Sequence, residues 1–380
     1  MCIIITAASS LYYLHRNQFS YLRRRGFEVV GVAGAGREHE WLRAAAVRTK
    51  VIPMARQPSP LGDVVSLMRL WWYLLWHRFD IVHVSTPKAA LLGSLAAVFS
   101  GHRRRIYTVL GRVYENMTGW RRRLMVLCER LVCRLSRRVI VIARELSRAL
   151  VEEGLCPPGK ARVIGSGSCN GVDVAHFSRT DAAVARGREV RRQLGIGRAD
   201  TVILFIGRLR EDKGMNELVE AFEDLAAGRD DLHLLLVGTF EEASPVAAGA
   251  RRAIESHPRI HRADWVEDPT GYYAAANVVA MPSYREGFGN VAIEASAMEL
   301  PVVAADVMGC RESVRANVTG LLVGVRDAGA LRDGLQRLIE DPALRKELGH
   351  NGRKRAEAEF RQEIVWDGII ENYRQVLRQA

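Results

Sequence analysis

Two stretches of this chain bring together residue types suited to a phosphorylated ligand. In the first, the apolar run Val202–Ile206 ends in Gly207-Arg208-Leu209, and Glu211-Asp212-Lys213-Gly214 follow. A strand, a glycine and two closely spaced cations make a workable grip for a diphosphate. Arginine can bond two phosphate oxygens at once, and lysine adds a mobile point charge. Taken alone, the pattern also suits two solvated surface cations. In the second stretch, Pro282-Ser283-Tyr284-Arg285-Glu286-Gly287-Phe288-Gly289-Asn290 is followed by VAIEASAMELP. Its glycines permit close backbone approach to a ligand. Asn290 is placed to cap a helix reaching about Met298, whose free N–H groups and partial positive charge would face an anion. Glu286 lies just ahead of that helix, and Glu294 follows eight residues later in its opening turns. A carboxylate can accept two hydroxyl groups of a sugar. Ala292, Ile293, Ala295 and Ala297 surround Glu294, so a solvated helix face is the poorer account of it.

These residues need a scaffold, and the rest of the chain supplies its pattern. Apolar runs at Cys2–Thr6, Glu28–Ala33, Ile81–Val84, Ile106–Val109 and Val139–Ile142 alternate with helical stretches. A second series runs through Val202–Ile206, Leu232–Val237, Val278–Met281, Val302–Ala304 and Gly320–Val323. Alternation of this kind predicts parallel sheets with helices on both faces. At 380 residues the chain exceeds one hydrophobic core, so two doubly wound α/β domains are expected. The stretch GSGSCNGVD, residues 165–173, makes a poor helix or strand and a good hinge. The division is therefore placed at 1–170 and 171–362, with an amphipathic helix over Glu363–Leu377. Ligands of such sheets bind beyond the carboxyl ends of the strands, and the cleft between two such domains is the expected active site.

Charge divides the chain the same way. Residues 1–170 carry 27 Lys and Arg against 10 Asp and Glu, whereas the remainder carries 28 against 33. A basic first half suits an anionic partner; an arginine-rich solvated surface is the plainer alternative but would not alone explain the asymmetry. No nucleic-acid motif accompanies it, so nucleic acid is not expected as a partner. The six cysteines form no CxxC pair and fit neither a zinc site nor a disulfide framework. Reduced thiols in the cytoplasm follow. No run of 18 apolar residues exists, and MCIIITAASS lacks the charged start of a signal peptide. Gly34-Ala35-Gly36 fails as a dinucleotide fingerprint because His39 stands where the third glycine belongs. Gly154 to Lys160 spells GxxxxGK, but Ala161 replaces the required hydroxyl residue and two prolines interrupt the loop. Apolar positions 64, 65, 68, 71, 72 and 75 share one helical face, which reads as core packing. With Arg69 and Arg78 nearby, Trp76 would alternatively sit at a lipid interface.

FIGRLREDKG, PSYREGFGNVAIEASAMELPVVA and the DVMGCRESV…TGLLV tail together resemble family 4 of the retaining glycosyltransferases, which have the GT-B fold. Glu286 and Glu294 match that family's E-x7-E motif. IVHVSTPKAALLGSLAA, the NGVD hinge at Asn170–Asp173 and VWDGIIENYRQVL extend the resemblance over nearly the whole chain, closest to the bacterial branch that builds capsule, exopolysaccharide or lipid-linked glycans. The resemblance implies two Rossmann-like domains facing a central cleft, with residues 171–362 binding a nucleotide-diphosphate sugar, taken as a UDP-sugar. Arg208 and Lys213 would hold the diphosphate and stabilise the leaving nucleotide. Glu294 would hold the ribose and Glu286 the donor sugar near its anomeric centre. Gly207 would lie beside the diphosphate, and backbone groups of Gly287, Phe288, Gly289 and Asn290 would position sugar and phosphates. Glu286, Arg208 and Lys213 are the catalytic set. No metal and no other cofactor would be needed, because the cations and helix dipole carry that role. Anomeric configuration would be retained by a front-face mechanism.

The same resemblance gives residues 1–170 to the acceptor, with the helix from 363 to 380 crossing back onto them. Ser9, Ser10, Arg16, Lys88, Arg112 and Glu115 are the candidate acceptor residues. The loop Gly111–Trp120, Arg121-Arg122-Arg123 and the apolar run LMVLCERLV suit a membrane surface. A polyprenyl-diphosphate sugar as acceptor, at the inner face of the cell membrane, would account for both patch and charge. Transfer to a soluble acceptor, such as a natural-product aglycone or small sugar, stays open, as does a non-catalytic nucleotide-binding GT-B protein. Two departures stand out. Many relatives carry a histidine in a strand-end HG or HD pair, where this chain has Leu110 before Gly111, and His83 is no substitute. Glu299 stands where relatives have glycine in MGLP.

Overall fold

The computed structural model describes every residue except Asn116, Ala243 and Ala380, and only the backbone of Arg16. The chain forms two compact units: Met1–Asn170 with Glu363–Ala380, and Gly171–Gln362.

In the first unit, β1 (Cys2–Ile4), β2 (Val30–Ala33), β3 (Arg48–Val51), β4 (Val82–Ser85), β5 (Arg105–Val109), β6 (Arg138–Val141) and β7 (Ala161–Val163) form one sheet in the order β3-β2-β1-β4-β5-β6-β7. All its pairings are parallel. Ile3, Ile5, Ile106 and Ile140 pack one face against the helix Gln362–Arg378 through Val365, Trp366, Ile369, Ile370 and Tyr373. Trp366 Nε1 donates to Asn170 Oδ1 at 2.7 Å, Tyr21 Oη to Asp367 Oδ1 at 2.8 Å, and Tyr373 Oη lies 2.6 Å from His83 Nδ1.

The second unit carries β8 (Thr201–Ile206), β9 (Leu232–Val237), β10 (Ile260–Ala263), β11 (Val278–Met281), β12 (Val302–Ala305) and β13 (Gly320–Val323), ordered β10-β9-β8-β11-β12-β13 and again parallel. Successive side chains of a strand point to opposite faces. Ile203 and Phe205 accordingly join one core, and Val202 and Leu204 join another. Near-continuous apolar strands are what burial on both faces demands.

Three strands escape the apolar pattern: β3, β7 and β10. Each is a sheet edge, and their burial is broken rather than continuous. Arg48, Lys50, Arg162 and Arg262 lie in them, as expected of edges protected against further pairing. The helix Pro60–Trp76 corrects the core-packing expectation. It buries Ser66, Leu70 and Leu74, while Val64, Val65, Met68, Trp72 and Trp76 are exposed, Trp76 by 69%. The periodicity marks an apolar face, and that face points to solvent.

Candidate functional site

The two candidate stretches of the second unit are stitched together. Beyond β8, the turn Glu211–Lys213 ends at Gly214, whose φ is +71°. A Cβ there would lie 2.2 Å from Pro282 O, so both the conformation and the contact require glycine. Tyr284 N donates to Asp212 O at 3.0 Å, and Tyr284 Oη to Glu217 Oε1 at 2.7 Å. Arg285 Nη2 reaches Asp212 Oδ2 at 3.4 Å. The loops after β8 and β11 therefore form one rigid platform at the carboxyl ends of adjacent strands.

On that platform Lys213 Nζ pairs with Glu286 Oε1, which also accepts a hydrogen bond from Ser283 Oγ at 2.9 Å. Both side chains are largely buried, at 22% and 17% exposure. The pair fixes Lys213 and offsets part of the cost of holding either charge out of water. Arg208 is exposed, and its Nη1 donates to Glu241 Oε2 at 2.7 Å. Arg210 Nη1 shares that oxygen at 3.1 Å. Glu241 is thus a counter-ion in the loop after β9 that no motif signals. Glu294 accepts from Tyr273 Oη at 2.8 Å, and burial pushes its carboxyl up to about 7 against the opposing pull of that bond. That bond is made to Oε2 of the carboxylate. Lys213 and Glu286 are brought into contact, whereas Arg208 and Glu294 each have separate partners.

The helix start departs from expectation in one respect. Gly289, with φ +82°, is the capping residue, and Asn290 is the first residue of the helix Asn290–Ala297. Gly289 has no side chain with which to cap this helix, and its left-handed conformation turns the chain into it. Phe288 is buried and packs edge-on against Phe360 at 5.5 Å, holding the loop that includes Gly287. Behind it, a Cβ at Gly309 would lie 2.4 Å from Glu286 O and 2.7 Å from Phe288 N. Gly309 is a second site-shaping residue that sequence reading passed over. Gly207 closes β8 against β9, where a Cβ at Gly238 would lie 1.9 Å from Gly207 O.

The first-unit candidates are differently disposed. Ser9 and Ser10 lie partly exposed in the first turn of the helix Ala8–Arg24. The side chain of Arg16 lies outside the described residues. Lys88 Nζ donates to Gln57 O at 2.5 Å and Asp63 Oδ1 at 2.6 Å, which ties the helix Pro87–Phe99 to the first turn of the helix Pro60–Trp76 and the loop ahead of it. Arg112 pairs with Glu115 at 2.7 Å and with Glu153. Thr86, at the carboxyl end of β4, has φ +64°, a strained value for a β-branched residue. Its hydroxyl lies 2.8 Å from Thr6 Oγ1 and accepts from Thr6 N at 3.1 Å. Such strain concentrates at functional sites, yet no sequence signal marks it. His83 bonds Tyr373 and Thr108 inside the core, and burial holds its ring down at about 3, neutral and structural. Among the described residues no group of three or more His, Cys, Asp or Glu could hold a metal ion.

Comparison with known proteins fits these features. The family model described as Glycosyl transferases group 1 matches residues 187–355, and the Glycosyl transferase 4-like domain matches residues 15–167. The capsular polysaccharide biosynthesis glycosyltransferase CapM of Staphylococcus aureus is 31% identical over 379 residues, 99% of this chain and 97% of its own. The D-inositol 3-phosphate glycosyltransferase of Segniliparus rotundus is 33% identical over 216 residues, 55% of this chain and 46% of its own. A sucrose-phosphate synthase from Thermosynechococcus elongatus superposes with a TM-score of 0.81 at 23% identity, covering 100% of this chain and 99% of that one. Anabaena HepE in complex with UDP and glucose superposes at 0.80 with 20% identity, covering 98% of both. The fold is that of GT-B glycosyltransferases, two Rossmann-like parallel-sheet domains. With one family model on each unit and a relative matched over almost its full length, this chain belongs to the group 1 glycosyl transferases.

Proposed function

We propose that the chain transfers a sugar from a nucleotide-diphosphate sugar, taken as a UDP-sugar, to a lipid-linked sugar acceptor in polysaccharide biosynthesis, with retained configuration and without a metal. The observation that carries this reading is the platform of the loops after β8 and β11, on which the Lys213–Glu286 pair stands just ahead of the helix Asn290–Ala297. The diphosphate would take Arg208 from Glu241, meet Lys213 and lie against the N–H groups at Asn290. Oε1 of Glu294 would accept a ribose hydroxyl, and Glu286 would meet the donor sugar. As the bond to the anomeric carbon breaks, charge grows on the leaving diphosphate, where two cations and a helix dipole already stand. Its own oxygen would take the acceptor proton on the same face. The capsular role of the Staphylococcus aureus relative and the UDP bound to Anabaena HepE support this choice of reaction and donor.

The first unit would receive the acceptor near Ser9, Ser10, Thr86, Lys88, Arg112 and Glu115. No helix among the described residues is long and apolar enough to cross a membrane. Instead, Trp72 and Trp76 are exposed on the helix Pro60–Trp76, and Trp120, Leu124, Leu127 and Leu131 are exposed on Gly119–Leu135, where the exposed Arg121, Arg122 and Arg123 follow Trp120 in sequence. An exposed aromatic face with adjacent arginines suits an anionic bilayer surface. The test is a transfer assay with UDP-sugars and a polyprenyl-diphosphate sugar, reading the product's anomeric configuration by NMR. Transfer only to water-soluble acceptors would favour the soluble-acceptor reading. Tight UDP binding with no hydrolysis or transfer would favour a non-catalytic protein.

A further inference from the structure

The amino ends of β5, β6 and β7 hold a second concentration of charge, at the opposite end of the sheet from Arg112 and Glu115. Arg105, Arg134, Arg137, Arg138, Lys160 and Arg162 line a pocket of about 530 Å³, with Arg103 beside them. No aspartate or glutamate is among its lining residues. Helix ends account for part of this. Arg105 Nε donates to Leu135 O at 2.6 Å and Lys160 Nζ to Arg134 O at 2.8 Å, at the end of the helix Gly119–Leu135. Arg137 Nη2 reaches Gln379 O at 3.4 Å. Carbonyls satisfy donors and offer a partial negative charge, but they do not neutralise several full cations.

Arg138 falls outside that account. It is only 8% exposed, and its buried Nε has no hydrogen-bond partner among the described residues. Burying a guanidinium without a carboxylate is unfavourable unless an anion completes the site. Burial lowers the pKa of Arg138 and Lys160, and neighbouring cations add to the effect on each. A fork of planar guanidinium groups matches phosphate oxygens closely.

We propose that this pocket binds phosphate groups, independently of the donor site in the second unit. The ligand is a diphosphate-like anion, supplied either by a soluble phosphorylated molecule or by lipid headgroups. The same Gly119–Leu135 helix ends in this pocket and exposes Leu124, Leu127 and Leu131, which brings the lipid source within reach. Lys160, which closes the failed phosphate-loop pattern in sequence, would thus meet phosphate through its side chain rather than through a loop of N–H groups.

Calorimetric titration of inorganic pyrophosphate into the full chain, Arg134→Glu/Arg162→Glu and Lys213→Ala tests this. Both substituted arginines are exposed, so the double variant should keep the melting temperature of the parent. The double variant should lose about tenfold or more in pyrophosphate affinity at this site, and Arg138→Gln should lose affinity too. Lys213→Ala should leave this site unchanged. Identical titrations of the double variant and the parent would overturn the proposal. A loss confined to Lys213→Ala would also overturn it while leaving the donor reading intact. Sedimentation with phosphatidylglycerol vesicles separates the sources. Loss of sedimentation by the double variant assigns headgroups, and unchanged sedimentation with lost pyrophosphate binding assigns a soluble anion.

Discussion

The two units share a fold and differ in what they show to solvent. Of the sixteen large apolar side chains exposed among the described residues, thirteen lie in the first unit and three in the second. The first 170 residues also carry a net +17, against −5 for the remainder. The second unit pairs its charges locally: Lys213 with Glu286, Arg208 with Glu241, Arg285 with Asp212. One scaffold therefore serves two purposes. The second unit holds a small, precise constellation on rigid loops. The first presents a broad cationic and apolar surface, which fits an extended anionic partner better than a small ligand.

That contrast can be broken at either end. The largest effect should come from Lys213→Ala. It would remove the cation proposed for the diphosphate and strand Glu286, so nucleotide-sugar affinity should fall by about 10- to 100-fold in calorimetry. The second effect belongs to the other unit. Trp72→Ser/Trp76→Ser/Trp120→Ser should reduce co-sedimentation with anionic vesicles by about tenfold while leaving nucleotide affinity unchanged. Equal sedimentation of variant and parent would remove the main support for a membrane face.

A third prediction concerns pH. Burial raises the Glu294 carboxyl to about 7 from an ordinary 4.5, so between those values the folded chain holds a proton that the unfolded chain releases. The stability this contributes is present below the ordinary value and is lost as pH rises through 7. Glu294→Gln should then raise the melting temperature above about pH 8 and have little effect near pH 4. A melting temperature unchanged at high pH would contradict the buried setting of this group.

The smallest effect is at Glu299. Its φ is +58°, and a Cβ at Gly349 would lie 2.2 Å from Glu299 O, so the left-handed turn is locked by close packing. A left-handed turn of this kind favours glycine. Glu299→Gly should stabilise the second unit by about 1 kcal/mol, read as a rise in melting temperature.

Interior strands were legible because burial on both faces makes them continuously apolar. Strands β3, β7 and β10 were not, because the charged residues they carry break the apolar pattern. The meeting of the loops after β8 and β11 was legible because each block is contiguous in sequence, with glycines at the close approaches. Glu241, Gly309 and Thr86 were not, because their roles arise from contacts between segments far apart in the chain. The helix Pro60–Trp76 shows a third kind of failure. Periodicity identified an apolar face but carried no information on whether protein or another medium covers it.

The most direct test of the central claim is a thermal-shift screen of the full chain against UDP-, GDP- and ADP-sugars. At least one nucleotide sugar, expected among the UDP-sugars, should raise the melting temperature of the parent and leave Lys213→Ala and Glu294→Ala unmoved. Stabilisation of the parent by none of these donors would contradict the account.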